Sequence, residues 1–231
     1  MEEKMKRASF KAICGVVSCL IITLLCGCNL FVTDKDRFYL DKDLDYMLTW
    51  IDLEKTGSDI IIPSKVGDKT VREISLKDPY FSGINSLDVS HVEELRSFNL
   101  ELFIDKKRSK LKKLDFSKNK KLRFLVISKT NALKEVSFSN NCKSISLDGT
   151  SVKKVDLRSL KRLKYISYYN GPLEALDVSN NPHLKQIWIE NANIKVLDVS
   201  KNPKLENIIV DEGTQIIGPT NARIEYNKKT E

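Results

Sequence analysis

A short apolar pattern recurs through the second half of the chain: one apolar residue, two variable residues, a second apolar residue, one variable residue and a third apolar residue. The middle apolar positions advance by 9 to 11 residues at each step. Every second step gives Leu125, Ile145, Ile166, Ile187 and Ile208, which are spaced by 20, 21, 21 and 21 residues. A fixed period of this length is typical of solenoids, in which each repeat packs against its neighbours. We therefore expect a chain wound into stacked coils.

Each predicted coil contains two kinds of segment. Segments such as Ile187-Trp188-Ile189 alternate with period 2, which predicts strands of a parallel inner sheet with the isoleucines inside and Trp188 outside. The intervening segments, LDVS at residues 87–90, 176–179 and 197–200 and LDFS at 114–117, are assigned to an outer wall. A 21-residue period with this division is that of a leucine-rich repeat. The predicted fold is a β-rich leucine-rich-repeat solenoid with a parallel inner sheet, an irregular outer wall of short strands and a small N-terminal β cap.

Two stretches carry a resemblance to known families. Residues 111–210 resemble the internalin-type repeats of bacterial surface proteins, through sequences such as SNNPHLKQI at 179–187 and SKNPKLENI at 200–208. Residues 58–81, with the sequence SDIIIPSKVGDKTVREISLKDPYF, resemble a BspA-type repeat unit. The resemblance implies adhesion or protein–protein recognition at a bacterial surface. Residues 100–110 are interpreted as an insertion between repeats.

Four asparagines follow the outer segments at a constant offset of five residues from the middle apolar position. Stacked coils would align them into a buried row that satisfies the backbone groups of the turns. The predicted row consists of Asn119, Asn141, Asn181 and Asn202.

The N-terminal region resembles a bacterial lipoprotein signal. Four basic residues precede an apolar stretch from Ala12 to Leu25, which is too short to span a bilayer. Leu25-Cys26-Gly27-Cys28 then resembles a lipobox, which implies diacylglyceryl transfer to Cys28, cleavage before it and lasting membrane attachment. The predicted organisation is a signal peptide at 1–27, a tether at 28–37, an N-terminal cap with the BspA-type unit at 38–83, the solenoid at 84–213, and a C-terminal cap or tail at 214–231.

Charge and cysteine content narrow the function further. The chain carries 39 basic and 31 acidic side chains and five cysteines, three of which lie within the predicted signal peptide. With Cys28 acylated, Cys142 remains alone, so no disulfide is available and it is assigned to the core as a small hydrophobe. An exported address argues against a nucleic-acid partner, and no cofactor or metal is expected. The row Arg123, Lys143, Lys164 and Lys185 before the inner strands is either a solvated charge row or a track for acidic glycans.

The residues that the repeat aligns on the exposed face of the inner sheet are the candidate site. Aromatic residues bury large areas at low entropic cost, so an exposed aromatic patch rimmed by carboxylates predicts recognition of another macromolecule. The predicted ligand-binding residues are Phe124, Tyr165, Tyr169, Trp188, Ile209, Glu190 and Asp211.

We predict a non-enzymatic, membrane-anchored surface lipoprotein that binds another macromolecule, with a protein as the principal expectation. Three alternatives stay open at this stage. The same aromatics suit the capture of a glycan, a purely structural envelope role is possible, and Glu190 with Asp211 has the carboxylate spacing of a retaining glycosidase. The sequence shows no catalytic motif around His91 or His183.

Overall fold

The computed structural model describes residues 37–77, 83–102 and 110–228. The predicted signal peptide, Cys28 and the tether up to residue 36 lie outside these residues. Within the described parts of the chain, no helix is long and apolar enough to cross a membrane. The only helix described there is a single turn, α1 (Leu53–Thr56), capped at its N-terminus by the Asp52 side chain, which accepts a hydrogen bond from the Glu54 N–H.

The described residues form a ten-stranded inner sheet in which the strands follow one another in chain order. The first pair is antiparallel, and all later neighbours are parallel because each coil returns to the same side before it adds the next strand. The strands, in spatial order, are β1 (Phe38–Asp41), β2 (Met47–Ile51), β6 (Glu73–Lys77), β8 (Ser97–Glu101), β10 (Phe124–Ser128), β12 (Ser144–Asp148), β13 (Tyr165–Tyr169), β14 (Gln186–Glu190), β16 (Asn207–Asp211) and β18 (Arg223–Asn227).

The outer wall is discontinuous, as the LDVS segments predict. It consists of short parallel pairs: β3 (Asp59–Ile61) with β7 (Ser86–Asp88), β9 (Lys113–Asp115) with β11 (Glu135–Ser137), and β15 (Val196–Asp198) with β17 (Gln215–Ile217). A single bridge between Lys154 and Ala175 links the coils in between. A small antiparallel hairpin, β4 (Lys65–Val66) and β5 (Lys69–Thr70), projects from the first coil. The leucine-rich-repeat solenoid predicted from the period is confirmed.

The core lies between the two walls and consists of columns of apolar side chains. The in-register residues Leu125, Ile145, Ile166, Ile187 and Ile208 are at most 4% exposed. Because neighbouring coils are about 4.8 Å apart, each of these side chains packs against its equivalent above and below.

Three asparagines form the predicted buried row in the turns that enter the inner sheet. Each side-chain amide donates two hydrogen bonds to backbone carbonyls of the preceding coil. Asn119 Nδ2 bonds the carbonyls of Val89 and Val92 at 2.8 and 2.9 Å. Asn181 bonds the carbonyls of Leu157 and Leu160 at 3.0 and 2.9 Å, and Asn202 bonds those of Val178 and Asn181, both at 2.9 Å.

Asn141 does not lie in this row. Its coil is two residues shorter between the outer and inner segments, so Cys142 takes the position that Leu122 takes one coil earlier, and Ser139 takes the position of Asn119. Ser139 is fully buried, whereas Asn141 is half-buried and bonds the Lys120 carbonyl at 2.7 Å near the surface. The constant offset from the outer segment therefore misplaced this residue.

A second column of turns lies where the chain leaves the inner strands. Lys129, Gly149, Asn170 and Asn191 follow β10, β12, β13 and β14, and all four have φ between 52° and 57°. Asparagine and glycine adopt this left-handed conformation at low cost. The Asn191 amide donates to Asn170 Oδ1, and the Asn170 amide donates to Asp148 Oδ1, both at 2.8 Å.

The boundaries of the solenoid differ from those predicted. β3 and β6 already pair with β7 and β8 in the two walls, so both strands belong to a coil of the solenoid, which β1, β2 and α1 precede among the described residues. At the other end, β17 and β18 complete a further coil instead of a separate cap. Near the middle, Leu100 lies in β8 and is buried with Leu102, so the segment interpreted as an insertion starts after residue 102; residues 103–109 lie outside the described part.

Candidate recognition surface

The outward-pointing residues of the inner strands form one face, which we call the open face. Parallel pairing in register places equivalent positions of successive strands side by side. The first row contains Phe124, Ser144, Tyr165, Gln186 and Asn207; the second contains Val126, Ser146, Ser167, Trp188 and Ile209; and the third contains Ser128, Asp148, Tyr169 and Glu190.

Strands β13, β14 and β16 carry four large apolar side chains on this face, Tyr165, Tyr169, Trp188 and Ile209, which we call the aromatic cluster. Tyr165 is 43% exposed, and Tyr169 contacts Trp188 edge to face with ring centroids 5.5 Å apart and an angle of 72° between the planes. Trp188 is in register with Ile209 on the next strand, and both side chains are half-buried. Edge-to-face packing fixes the rings before any ligand arrives, so they offer a preorganised apolar surface.

Phe124 lies on the open face but not in this cluster. It is 51% exposed, and its neighbour on the same face, Val126, is 37% exposed. Strand β12 separates both from β13 and contributes only Ser144 and Ser146 to these rows. Two strand spacings are about 10 Å, so the predicted single patch is two apolar areas with a serine seam between them.

The two predicted rim carboxylates differ from expectation. Asp211 is 3% exposed and accepts hydrogen bonds from the backbone N–H groups of Asn191 and Ala192 at 2.8 and 2.9 Å. Its carboxylate therefore closes the turn after β14 and is not available to a ligand. Glu190 is half-buried and accepts a hydrogen bond from the Asn227 amide. The glycosidase-like pairing of these two carboxylates on an open face is thus wrong.

The cluster contains two polar groups with distinct properties. Burial raises the pKa of the Tyr169 hydroxyl, and the nearby carboxylates of Glu190 and Asp148 raise it further, while a hydrogen bond with Ser167 opposes them. Tyr169 therefore stays a neutral donor. The Trp188 Nε1–H is buried and has no hydrogen-bond partner among the described residues.

Sequence reasoning missed the part of the open face that precedes β10. Ser75 on β6 and Asn99 on β8 are in register, and Glu101 at the end of β8 bonds Lys129 at 3.0 Å. The alternation of apolar Phe98 and Leu100 with polar neighbours was a sequence signal for this strand. Among the described residues, no cluster of three or more acidic, histidine or cysteine side chains is arranged to hold a metal ion.

No protein-family model matches the chain, and no curated protein matches it either. Among solved structures, the chain is similar to the internalin InlF from Listeria monocytogenes str. 4b F2365, with 16% identity, coverage of 69% of this chain and 54% of that chain, and a TM-score of 0.44. It is also similar to the functional domain of InlJ from Listeria monocytogenes, with 16% identity, coverage of 76% and 61%, and a TM-score of 0.18. The chain spans less than two thirds of either structure, and the likeness concerns the fold alone.

Proposed function

We propose that this chain is an exported, lipid-anchored bacterial surface protein whose open face binds another protein. The observation that carries the proposal is the aromatic cluster of Tyr165, Tyr169, Trp188 and Ile209 on three adjacent strands. Aromatic side chains at the centre of an interface contribute most of the binding energy, often about 2 kcal/mol or more each. Strands held by a continuous backbone ladder lose little conformational entropy on binding.

Cross-linking from intact cells followed by affinity capture of the chain tests the binding role. Replacing Tyr165 and Trp188 together by alanine is expected to abolish capture of the partner. A matched control replaces Val196 and Ile217, which are 46% and 42% exposed on the outer wall, and is expected to leave capture unchanged. Equal capture by both double variants and the unaltered chain would contradict a role for the open face.

The same variants separate the protein-binding proposal from carbohydrate capture. On a glycan array, a neutral glycan that binds the unaltered chain but not the Tyr165 and Trp188 variant, with no protein captured from cells, would assign the aromatic cluster to sugar stacking. Capture of a protein with no array signal supports the proposal.

Membrane attachment has an independent test. With Cys28 replaced by alanine, the chain is expected to leave the membrane fraction, and mass spectrometry of the unaltered chain is expected to find acyl groups on an N-terminal Cys28. A Cys28→Ala chain that stays as membrane-bound as before would refute lipid anchoring and leave the open-face proposal untouched.

A further inference from the structure

A column of basic residues lies along the edge where the chain enters the inner sheet. The backbone joins them one coil to the next, because the N–H of each residue bonds the carbonyl of the previous one at 2.7 to 2.9 Å. The members are Arg72, Arg96, Arg123, Lys143, Lys164 and Lys185. Five strand spacings give this row a length of about 24 Å. Sequence analysis identified four members and missed Arg72 and Arg96, whose coils lie outside the regular 21-residue period.

The middle of this column opens into a shallow cleft between the side chains of three basic residues and one histidine. The cleft has a volume of about 300 Å³ and is lined by Lys143, Arg162, Lys164 and His183. Arg162 and His183 are contributed by the turns just before β13 and β14. Asn141, which lies outside the buried row, accepts a hydrogen bond from Arg162 Nη1 at 3.5 Å. This bond holds the Arg162 guanidinium at the edge of the sheet. The other side of the imidazole approaches Lys204, whose Nζ lies 3.0 Å from His183 Nδ1.

Counter-charges neutralise the ends of the column but not its middle. At one end, Lys185 forms an ion pair with Glu206 at 2.5 Å. At the other end, Glu94 lies near Arg96 and Arg72 and forms an ion pair with Lys121. The hydrogen bond from Lys121 and these positive charges lower the pKa of the Glu94 carboxyl. In contrast, Arg123, Lys143, Arg162 and Lys164 form no ion pair within the described parts of the chain. Like charges on neighbouring strands repel one another and destabilise the fold. A bound anion would reduce this repulsion, so the unpaired cations favour anion binding.

Two exposed rings stand next to the unpaired cations. Phe124 follows Arg123, and Tyr165 follows Lys164, each at the start of its inner strand. A linear acidic sugar chain offers anionic groups to the column and flat ring faces to these side chains. Proteins that bind single-stranded nucleic acids stack successive bases on a series of aromatic side chains. Among the described inner strands that carry the column, only these two rings lie next to the cations, which favours a sugar chain over a nucleic acid.

We propose that this basic edge, centred on the cleft of Lys143, Arg162, Lys164 and His183, binds the carboxylate or sulfate groups of a linear acidic polysaccharide. The choice of polysaccharide over nucleic acid depends in part on the proposed export of the chain. The site shares only Tyr165 with the aromatic cluster, because its cations lie on the edge of the sheet and precede the inner strands. Charge pairing in water is screened by salt, so binding weakens as ionic strength rises.

Binding of a heparin decasaccharide to the purified full chain, measured by calorimetry at low and physiological salt, tests the site. The triple variant Lys143→Glu, Arg162→Glu, Lys164→Glu is expected to lower the affinity by about tenfold or more. A matched variant, Lys112→Glu, Lys134→Glu, Lys195→Glu, changes the net charge equally on the exposed outer wall and is expected to lower it by less than about threefold. Urea midpoints of both variants check that the solenoid still folds.

Three results would overturn the proposal: no measurable heparin binding, an equal loss in the two triple variants, or tighter binding of a single-stranded oligonucleotide of equal charge. An alanine variant of Tyr169 and Trp188, which leaves the edge ring Tyr165 in place, separates the two sites. If this variant loses protein capture but keeps heparin binding within about threefold, the two surfaces act independently. If the unaltered chain captures a protein but does not bind heparin, the edge proposal is refuted and the open-face proposal stands.

Discussion

Replacing Asn181 by alanine tests whether the buried asparagine row stabilises the solenoid. The side chain is fully buried, and its amide donates to the carbonyls of Leu157 and Leu160 at 3.0 and 2.9 Å. Each carbonyl also accepts a backbone hydrogen bond, so each keeps one partner when the amide is removed. The loss is therefore the net value of two hydrogen bonds, about 1–3 kcal/mol, rather than the full cost of two orphaned groups.

Two further effects modify this value. The void left by the carboxamide costs about 1 kcal/mol. Asn181 Oδ1 has no hydrogen-bond partner among the described residues, and its removal returns about 1 kcal/mol. The free energy of unfolding of Asn181→Ala is thus expected to fall by about 2 kcal/mol. Asn141→Ala, which removes a surface bond to the Lys120 carbonyl and a long bond from Arg162, is expected to change it by less than about 0.5 kcal/mol.

Urea unfolding followed by circular dichroism measures both values, from the midpoint and the slope of the transition. Asn181→Leu separates hydrogen bonding from packing, because Leu160 already occupies the equivalent position one coil earlier and shows that the row accommodates this side chain. If the donors matter, the leucine variant stays less stable than the unaltered chain. Full recovery of stability with leucine, or equal losses at Asn181 and Asn141, would refute the reasoning.

Three other predictions concern buried groups. Burial raises the pKa of the Cys142 thiol from 9.0 to about 11, so the thiol ionises at lower pH in the unfolded chain than in the folded one. The free energy of unfolding is therefore expected to fall by up to about 1.4 kcal/mol per pH unit between these two values. Cys142→Val should remove this pH dependence when urea midpoints at about pH 8 and about pH 10 are compared. A Cβ at Gly171 would lie 2.3 Å from the Tyr168 hydroxyl oxygen and 2.7 Å from the Thr150 carbonyl oxygen, so Gly171→Ala should destabilise the chain by about 1–3 kcal/mol in the same assay. Asp211→Asn keeps one of the two acceptor oxygens that bond the turn after β14, and thermal unfolding should show a loss of about 1–3 kcal/mol; an unchanged midpoint would contradict the structural role of this carboxylate.

The period and the alternation of apolar residues determined the architecture of this chain. The 21-residue spacing of Ile166, Ile187 and Ile208 predicts stacked coils. The period-2 alternation around Trp188 assigns each side chain of the strand to one face of the sheet. Both signals are local in sequence, so they survive without knowledge of the rest of the fold. The order of the inner strands follows from the same regularity.

Register within individual turns was decided by the tertiary structure. A turn shortened by two residues moved Asn141 out of the buried row and placed Ser139 there, although the count from the outer segment was the same as for its relatives. The Asp211 carboxylate is buried because it accepts hydrogen bonds from the turn after β14, which leaves Glu190 without its predicted partner on the open face. A repeat pattern shows only the spacing between residues along the chain. The position of a side chain in a turn also depends on which backbone groups of that turn lack a hydrogen-bond partner.

The two candidate surfaces also depend on contacts between coils that no single segment encodes. A serine seam on β12 divides the aromatic residues, and the basic cleft is assembled from Lys143, Arg162, Lys164 and His183, which belong to consecutive coils. The sequence determined that these residues would lie in columns. Only the folded chain decided which of them keep their charges or rings exposed, because neutralisation and burial are set by neighbours about one coil away across a spacing of about 5 Å.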